Sequence, residues 1–163
     1  MEFIVDVQGF KKPSNEFVLK ELSVIGVDTN FSEPATFLFQ PPCPWKHLPA
    51  KYKSINLWLE RNFHGISWSA GEIAYNQARN ILRVILQNAS KIYVKGLEKK
   101  VWLGAFIGRT EHIADLGDLG CPSLQNLRKN LLTRCSHHHA SHFQCSMENV
   151  KLLRNWLLLE CIF

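Results

Sequence analysis

Three β-prone segments fill the first part of the chain, and a cluster of prolines closes them off. The segments are Phe3–Val7, which Gln8-Gly9 ends, then Phe17–Val27 and Ala35–Gln40. β-Branched and aromatic residues favour strands, and the short connections between these segments favour antiparallel pairing. Proline cannot donate a backbone hydrogen bond to a sheet, so the prolines at 41, 42 and 44 mark its end. The sequence therefore predicts a three-stranded antiparallel meander.

From Ser54 onward the hydrophobic residues follow helical spacing, interrupted by two short strand-like segments. A capping box at Ser69–Glu72 predicts the start of a long amphipathic helix that includes Ala74, Ala78, Ile81 and Ile85. The remaining predicted elements are strands at Lys91–Val94 and His112–Leu116 and helices at Glu98–Phe106, Ser123–Leu132 and Ser146–Leu159. Ser123 and Ser146 are the expected caps of the last two helices. The order β-β-β-α-α-β-α-β-α-α predicts one α/β domain over residues 1–163. Its mixed sheet has three antiparallel strands followed by parallel strands, with helices on its faces.

Composition excludes several classes of protein. At 163 residues, with 46% hydrophobic and 20% charged residues, the chain is long and apolar enough to bury a core. Glu2 and Asp6 interrupt the first apolar segment, and Glu160 interrupts the last one, so we expect no signal peptide and no membrane partner. Five cysteines, an odd number, without a secretory signal predict an intracellular protein of the cytoplasm or nucleus.

A cluster of cysteines and histidines lies directly ahead of the last predicted helix. Between Cys135 and Cys145 the sequence reads Cys-Ser-His-His-His-Ala-Ser-His-Phe-Gln-Cys. Thiolate and imidazole are ligands that zinc prefers, and short spacings allow one loop to surround one ion. Cys135, His138 and Cys145 supply three ligands, and the fourth must come from elsewhere in the fold or from water. His137 or His139 can replace His138, and a solvated histidine-rich loop is the alternative interpretation.

The net charge of +5 favours a polyanionic partner. Basic residues gather at Lys11–Lys12, Lys46–Lys53, Lys91–Lys100 and Arg128–Arg134. Trp45 and Tyr52 lie within the second group, where aromatic rings can stack on the bases of a single strand. The alternative is a solvated basic rim around an ordinary core.

The element order, with Asp6 in the middle of the first strand, resembles the DEDD exonuclease branch of the RNase H-like fold. Those enzymes carry Asp-x-Glu on the first strand, an Asp after the fourth strand, and a His-x4-Asp or Tyr-x3-Asp motif that opens the last helix. This chain has Asp6-Val7-Gln8, no Asp within Lys95–Lys100, and Asn149 near the final Asp position. Two-metal cleavage needs clustered carboxylates. The resemblance therefore implies a catalytically degenerate site in which Asp6 is the remnant.

A closer resemblance is to the Maelstrom domain, an RNase H-like relative in which a Glu-Cys-His-Cys zinc set replaces the exonuclease carboxylates. The matching positions are Glu98, Cys135, His138 and Cys145. The resemblance implies a structural Zn²⁺ with four protein ligands, and Cys121 is the rival to Glu98 for the fourth position. It also implies a role in small-RNA-directed transposon silencing, with protein partners in that pathway.

The function expected from these features is the binding of single-stranded RNA over the groove beside the first strand and the last helix. The basic residues predicted to contact it are Lys11, Lys12, Lys95, Lys99, Lys100 and Arg154. A residual metal-dependent ribonuclease, using Asp6 with Glu21, Glu72 or Asp115, is one alternative. A protein-interaction scaffold on the same fold is another. Cys145 with a loop histidine has the residue types of a nucleophile and base, but no signature of an orienting residue accompanies it.

Overall fold

A five-stranded mixed sheet forms the framework of the computed structural model, which describes residues 1–28, 33–130 and 143–161. Its strands are β1 (Glu2–Lys12), β2 (Glu16–Gly26), β3 (Ala35–Leu38), β4 (Lys91–Val94) and β5 (Ile113–Asp115). They are arranged in the order β3-β2-β1-β4-β5. The three strands β1, β2 and β3 pair antiparallel, whereas β4 is parallel to β1 and β5 is parallel to β4. The predicted α/β architecture with a mixed sheet is confirmed.

Helices cover both faces of the sheet. They are α1 (Ala50–Asn62), α2 (Ala78–Leu86), α3 (Leu97–Ile107), α4 (Leu124–Leu127) and α5 (Ser146–Cys161). Successive side chains of a strand point to opposite faces. Val5 and Val7 of β1 therefore pack in a core with Leu82 of α2 and Leu103 of α3. On the other face, Ile4 packs in a second core against α5 through residues such as Val150, Leu153 and Leu157. Asp6 and Gln8 follow Ile4 on this α5 face.

The first strand is longer than the sequence predicts. Gln8-Gly9 was expected to end it, but β1 continues to Lys12 through a bulge between these two residues. A Cβ atom at Gly9 would lie 2.0 Å from the carbonyl oxygen of Val18 and 2.7 Å from the ring of Phe17. The glycine therefore marks a close approach of β2 to β1, not the end of the strand.

On the side of β1 opposite β2, side chains take the place of a neighbouring strand along the far half of β1. This strand pairs with β4 only over residues Glu2–Ile4. Further along, the backbone N–H of Lys11 donates to Oδ1 of Asn56 at 2.8 Å, and Nδ2 of Asn56 donates to the carbonyl of Lys11 at 2.8 Å. The ring of His64 accepts from the N–H of Ile66 at Nδ1, so its Nε2 donates to the carbonyl of Gly9 at 2.9 Å. Asn56 and His64 are both fully buried.

The helix predicted to start at Ser69–Glu72 does not form there. The N–H groups of Glu72 and Ile73 donate to the carbonyl of Leu38 instead, so this segment runs beside the end of β3. Gly71 has a φ of +128°, and a Cβ atom there would lie 2.3 Å from the backbone of Phe39. The helix α2 begins only at Ala78. The capping-box prediction is wrong because backbone bonds to β3 override the local signal.

The C-terminal helices follow their predicted positions. Oγ of Ser123 accepts from the N–H of Asn126 at 3.2 Å and caps α4, as expected. A 3-10 turn over Arg128–Asn130 follows, and the end of that predicted helix at 131–132 lies outside the described residues. Within the described ranges no helix combines the length and apolar character needed to cross a bilayer.

Candidate functional site

Four polar side chains form a buried patch in the middle of the α5 face of the sheet. Asp6 lies opposite Ser23, and Gln8 lies opposite Glu21, in the register of β1 and β2. Each of the four is at most 4% exposed. Buried polar groups are stable only when they find hydrogen-bonding partners. The partners of these four side chains therefore indicate what the site can do.

Asp6 is held by two side chains, which together form the Asp6–Lys99–Asn149 cluster. One oxygen of its carboxylate accepts from Nζ of Lys99, in the first turn of α3. The other accepts from Nδ2 of Asn149, in the first turn of α5, at 2.9 Å. The Asp6 side chain is inaccessible to solvent, whereas Lys99 remains 28% exposed. A cation and an amide thus occupy the two oxygens of the carboxylate that the exonuclease resemblance singles out.

Arg128 fixes the orientation of Asn149. Its Nη2 donates to Oδ1 of Asn149 at 2.9 Å and to Oε1 of Gln144 at 2.7 Å. With its oxygen turned to Arg128, the amide of Asn149 presents its nitrogen to Asp6. The backbone N–H of Gln144 donates in turn to the carbonyl of Phe63 at 2.8 Å. These bonds tie the start of α5 to α4 and to the end of α1.

Glu21 caps the N-terminus of α5. Its Oε1 accepts from the backbone N–H of Ser146 at 2.9 Å and from Oγ of Ser146 at 2.7 Å. A carboxylate at this position satisfies a free N–H group and complements the helix dipole. Ser146 was expected to cap this helix, but it is the first residue of α5, and its hydroxyl bonds to the sheet through Glu21 and Ser23.

A cavity of about 360 Å³ opens beside this patch, where the far half of β1 has no strand on the side opposite β2. We call it the β1 cavity. Its lining combines apolar side chains with a few polar ones: Val7, Phe17, Leu59, Phe63, Trp102, Leu124, Gln8, Lys11, Glu98, Lys99 and Gln144, together with Gly9. The rings of Phe17 and Trp102 meet edge to face, with centroids 5.1 Å apart. The cavity therefore presents aromatic walls with charged side chains around them.

Two lysines and one glutamate carry the charge around the β1 cavity. Nζ of Lys11 lies 3.3 Å from Oε1 of Glu98 and 5.8 Å from the centroid of the Phe17 ring. The Glu98 side chain is 87% exposed, so this ion pair is weak. Lys99 is the second lysine, held on Asp6.

The structure brings together only some of the predicted nucleic-acid contacts. Lys11 and Lys99 line the β1 cavity, with half-buried Lys95 and Lys100 on either side of Lys99 in the chain. Lys12 lies at the β1–β2 hairpin and pairs with Glu16 at 3.6 Å. Arg154 lies elsewhere, since its Nε donates to the carbonyl of Gly26, which is opposite Phe3. Phe3 and Lys11 are eight residues apart on β1, which corresponds to ~26 Å.

Two of the four predicted zinc ligands lie within the described residues. Cys145 is fully buried just before α5, and Glu98 lies at the start of α3. Cys135 and His138, like His137 and His139, lie outside the described residues, so the zinc set stays a prediction. Among the residues that are described, no group of three or more His, Cys, Asp and Glu side chains is placed to hold a metal.

Cys121, the rival to Glu98, belongs to the apolar core on the α5 face. It packs in the same cluster as Ile4, Tyr93 and Leu116. Burial raises the pKa of its thiol. Its packing among apolar side chains suits a small core residue.

The three carboxylates proposed as partners of Asp6 in a nuclease have separate structural roles. Glu21 caps α5 as described above. Oδ1 of Asp115 accepts from the backbone N–H groups of Gly96 and Gly117, both at 2.8 Å, and so joins the ends of β4 and β5. Glu72 is exposed, and its backbone bonds to the end of β3.

The aromatic side chains at the site are not those predicted from the sequence. Tyr52 is 8% exposed, and Trp45 packs edge to face on Trp68 at 5.8 Å, so both belong to a third apolar cluster under α1. Trp102 and Phe17 line the β1 cavity instead. Trp102 follows Lys99 by three positions on α3, a spacing that places both on one helix face, and this signal was available in the sequence.

Comparison with models of protein families gave no match to this chain, and a search of curated proteins gave no significant similarity.

Proposed function

We propose that this domain is a catalytically degenerate, RNase H-like module that binds single-stranded RNA over the β1 cavity. The observation that carries the proposal is the Asp6–Lys99–Asn149 cluster. Mg²⁺ requires several oxygen ligands in near-ideal geometry, and two-metal cleavage requires carboxylates that two ions can share. An ion at Asp6 would have to displace an ammonium group and an amide that already satisfy both carboxylate oxygens. Binding without cleavage is the function that this arrangement supports best.

The topology supports the RNase H-like part of the proposal. Asp6 lies on β1, the central strand in the order β3-β2-β1-β4-β5, and β4 is parallel to it. Asn149 lies in the first turn of the last described helix, directly against Asp6. These are the two places where the resemblance to DEDD exonucleases predicts residues of the former active site.

The surface around the β1 cavity supports single-stranded RNA as the ligand. Lys11 and Lys99 line the cavity, and Lys95 and Lys100 lie close to Lys99 in the chain. Lysines neutralise phosphates, while Phe17, Phe63 and Trp102 offer rings on which bases stack. A double strand keeps its bases paired and stacked, so it can use the lysines but not the rings.

A structural Zn²⁺ is part of the same proposal, with Glu98, Cys135, His138 and Cys145 as its ligands. Gln144 lines the same cavity as Glu98. Because Cys145 follows Gln144 directly, the predicted ligands Glu98 and Cys145 belong to one end of the sheet. Cys145 is buried as a structural ligand should be, whereas Glu98 would have to leave Lys11. A bound ion would fix the start of α5 beside the RNA surface. By the Maelstrom resemblance, the proposed setting is RNA silencing of transposons with protein partners.

The test is fluorescence anisotropy of labelled single-stranded and double-stranded RNA over a range of salt concentrations. We expect single strands to bind more tightly, with an affinity that falls as salt rises. Lys11→Glu and Lys100→Glu should each weaken binding of all sequences and reduce the salt slope by about 0.7 per lost phosphate contact.

Lys151→Glu is the matched control, because Lys151 pairs with Glu33 at 3.8 Å beside Arg154, away from the β1 cavity. It should leave RNA binding unchanged. If Lys151→Glu and Lys11→Glu lose RNA affinity equally, the RNA contacts extend to both ends of the sheet, and Arg154 is one of them. Undetectable binding at low salt would contradict the proposal and favour a protein-interaction scaffold.

A further inference from the structure

Gln8 is a buried polar side chain whose amide has no hydrogen-bonding partner in the part of the chain that the structure describes. It is 4% exposed and lines the β1 cavity. Its neighbours in the patch differ: both oxygens of Asp6 accept hydrogen bonds from α3 and α5, and Oε1 of Glu21 accepts from α5. A primary amide offers two N–H donors and one carbonyl acceptor. The amide of Gln8 is therefore available to a ligand in the cavity.

The other walls of the β1 cavity specify the shape of that ligand. Phe17, Phe63 and Trp102 present flat rings, and the cavity volume of about 360 Å³ lies within the range of small-ligand sites. Lys11 lies beside them, and its partner Glu98 is exposed enough to release it to an anion. The site thus combines stacking surfaces, a donor–acceptor edge and a cation within one cavity.

A nucleotide satisfies all three features at once. Its base is flat, its edge carries donors and acceptors side by side, and its phosphate is anionic. An apolar peptide or a lipid chain would fill the walls but leave the Gln8 amide unpaired. Among the bases, adenine pairs with a glutamine amide through two hydrogen bonds, at N6 and N7.

We infer that the β1 cavity holds one unstacked adenine base, with Gln8 reading its edge and Lys11 facing the adjoining phosphate. This inference rests on the proposed RNA-binding function and adds a base-specific pocket to it. The replacement of the exonuclease glutamate by Gln8 then has a positive role, because a carboxylate lacks the N–H donor that this pairing needs.

The experiment compares short labelled RNAs of adenine, cytosine or uracil alone, and an abasic strand, on the wild type and on Gln8→Leu. Leucine keeps the approximate size of the side chain and removes the amide. We expect the wild type to prefer the adenine strand by about tenfold, since a bidentate pair gives discrimination of that order. Gln8→Leu should lose this preference and keep the same salt slope. Adenosine monophosphate as competitor separates a free nucleotide from a strand as the source of the base.

Trp102→Ala is the second variant, in case Gln8→Leu does not fold. Trp102 is half-buried at the cavity wall, and its loss should weaken the adenine strand and leave the abasic strand unchanged. Equal binding of all strands, the abasic one included, by the wild type would overturn the base pocket while the proposed RNA binding stands. Absence of binding to every strand would overturn both.

Discussion

At the scale of single residues, Lys99 provides the positive charge that the buried carboxylate of Asp6 needs. Asp6 is inaccessible to solvent on the central strand, and an unpaired charge there would be costly. Lys99 supplies the compensating charge, while Asn149 and Arg128 hold the second oxygen in place. The positive charge is thus built into the chain and needs no ion from solution.

Removal of Lys99 alone should leave a buried, uncompensated carboxylate. We expect Lys99→Met to lower the free energy of unfolding by about 3 kcal/mol, the low end for breaking a buried pair, because Lys99 is itself partly exposed. Asp6→Asn combined with Lys99→Met should restore most of that loss. Urea unfolding of the two single variants and the double variant measures the coupling. Additive losses would contradict a direct interaction between the two charges.

The same pair predicts the absence of metal-dependent cleavage. With Mg²⁺ or Mn²⁺ at millimolar concentration, the purified protein should not degrade single-stranded RNA from its 3′ end. Asp6→Ala provides the control, because a contaminating nuclease would be unaffected by it. Cleavage by the wild type that disappears in Asp6→Ala would establish the residual nuclease instead of the binding module.

At the scale of elements, Lys20 joins β2 to the segment that leads into α2. It is 1% exposed, and its ammonium group donates to the carbonyl of Trp68 at 2.6 Å and to that of Ala70. Burial lowers the pKa of Lys20 from 10.5 to about 8. The strand therefore contains a charged group whose burial is unfavourable at neutral pH.

This lowered pKa predicts a stability that rises with pH. Below about pH 8 Lys20 binds a proton in both states, so the cost of burying its charge is present in full. Between about 8 and 10.5 the folded state loses the proton while the unfolded state keeps it, so the free energy of unfolding increases. The total gain approaches ~3 kcal/mol. Urea unfolding should show this rise in the wild type and not in Lys20→Met, and parallel pH profiles would contradict it.

Local patterns predicted most of the elements because those elements depend on local composition. The strand at Lys91–Val94 has the predicted bounds, and the helix at Glu98–Phe106 extends by one residue at each end. The capping box at Ser69–Glu72 misled because the backbone of that segment bonds to β3, far away in the chain. The β1 cavity was not predictable either, since it forms where β4 ends and β1 continues with β2 on one side only.

The sequence predicts some parts of the candidate site and not others. Asp6 and the nearby lysines were identified because their residue types carry the chemistry. Their pairing was not, because Asp6 and Lys99 meet only once β1 and α3 are placed side by side. The sequence shows Gln8 only as the replacement of a carboxylate. Whether its amide faces a cavity or forms hydrogen bonds depends on the fold.

At the scale of the whole molecule, zinc would connect the segment before α5 to the rest of the fold. We expect one zinc per chain by elemental analysis, held by Glu98, Cys135, His138 and Cys145. Structural zinc contributes on the order of 10 kcal/mol to zinc-finger peptides, so part of the stability of this domain should depend on it. Cys145→Ser should lose the metal and lower the melting temperature.

Cys121→Ser is the matched comparison for the zinc prediction. As a core residue, Cys121 should affect stability but not metal content. Loss of zinc in Cys121→Ser would make it the fourth ligand in place of Glu98. Stable, monodisperse wild type that contains no zinc after gentle purification would rule the site out.

The side chains of Asn56 and His64 that close the far half of β1 have a consequence for self-association. An open strand edge is a template on which another chain can add a strand and begin to aggregate. Asn56 occupies the N–H and C=O of Lys11 that such a strand would need. Asn56→Leu should therefore form oligomers whose fraction grows with concentration in light scattering, whereas Asn62→Leu, an exposed change on the same helix, should stay monodisperse. A side-chain amide thus acts here as protection against β-aggregation.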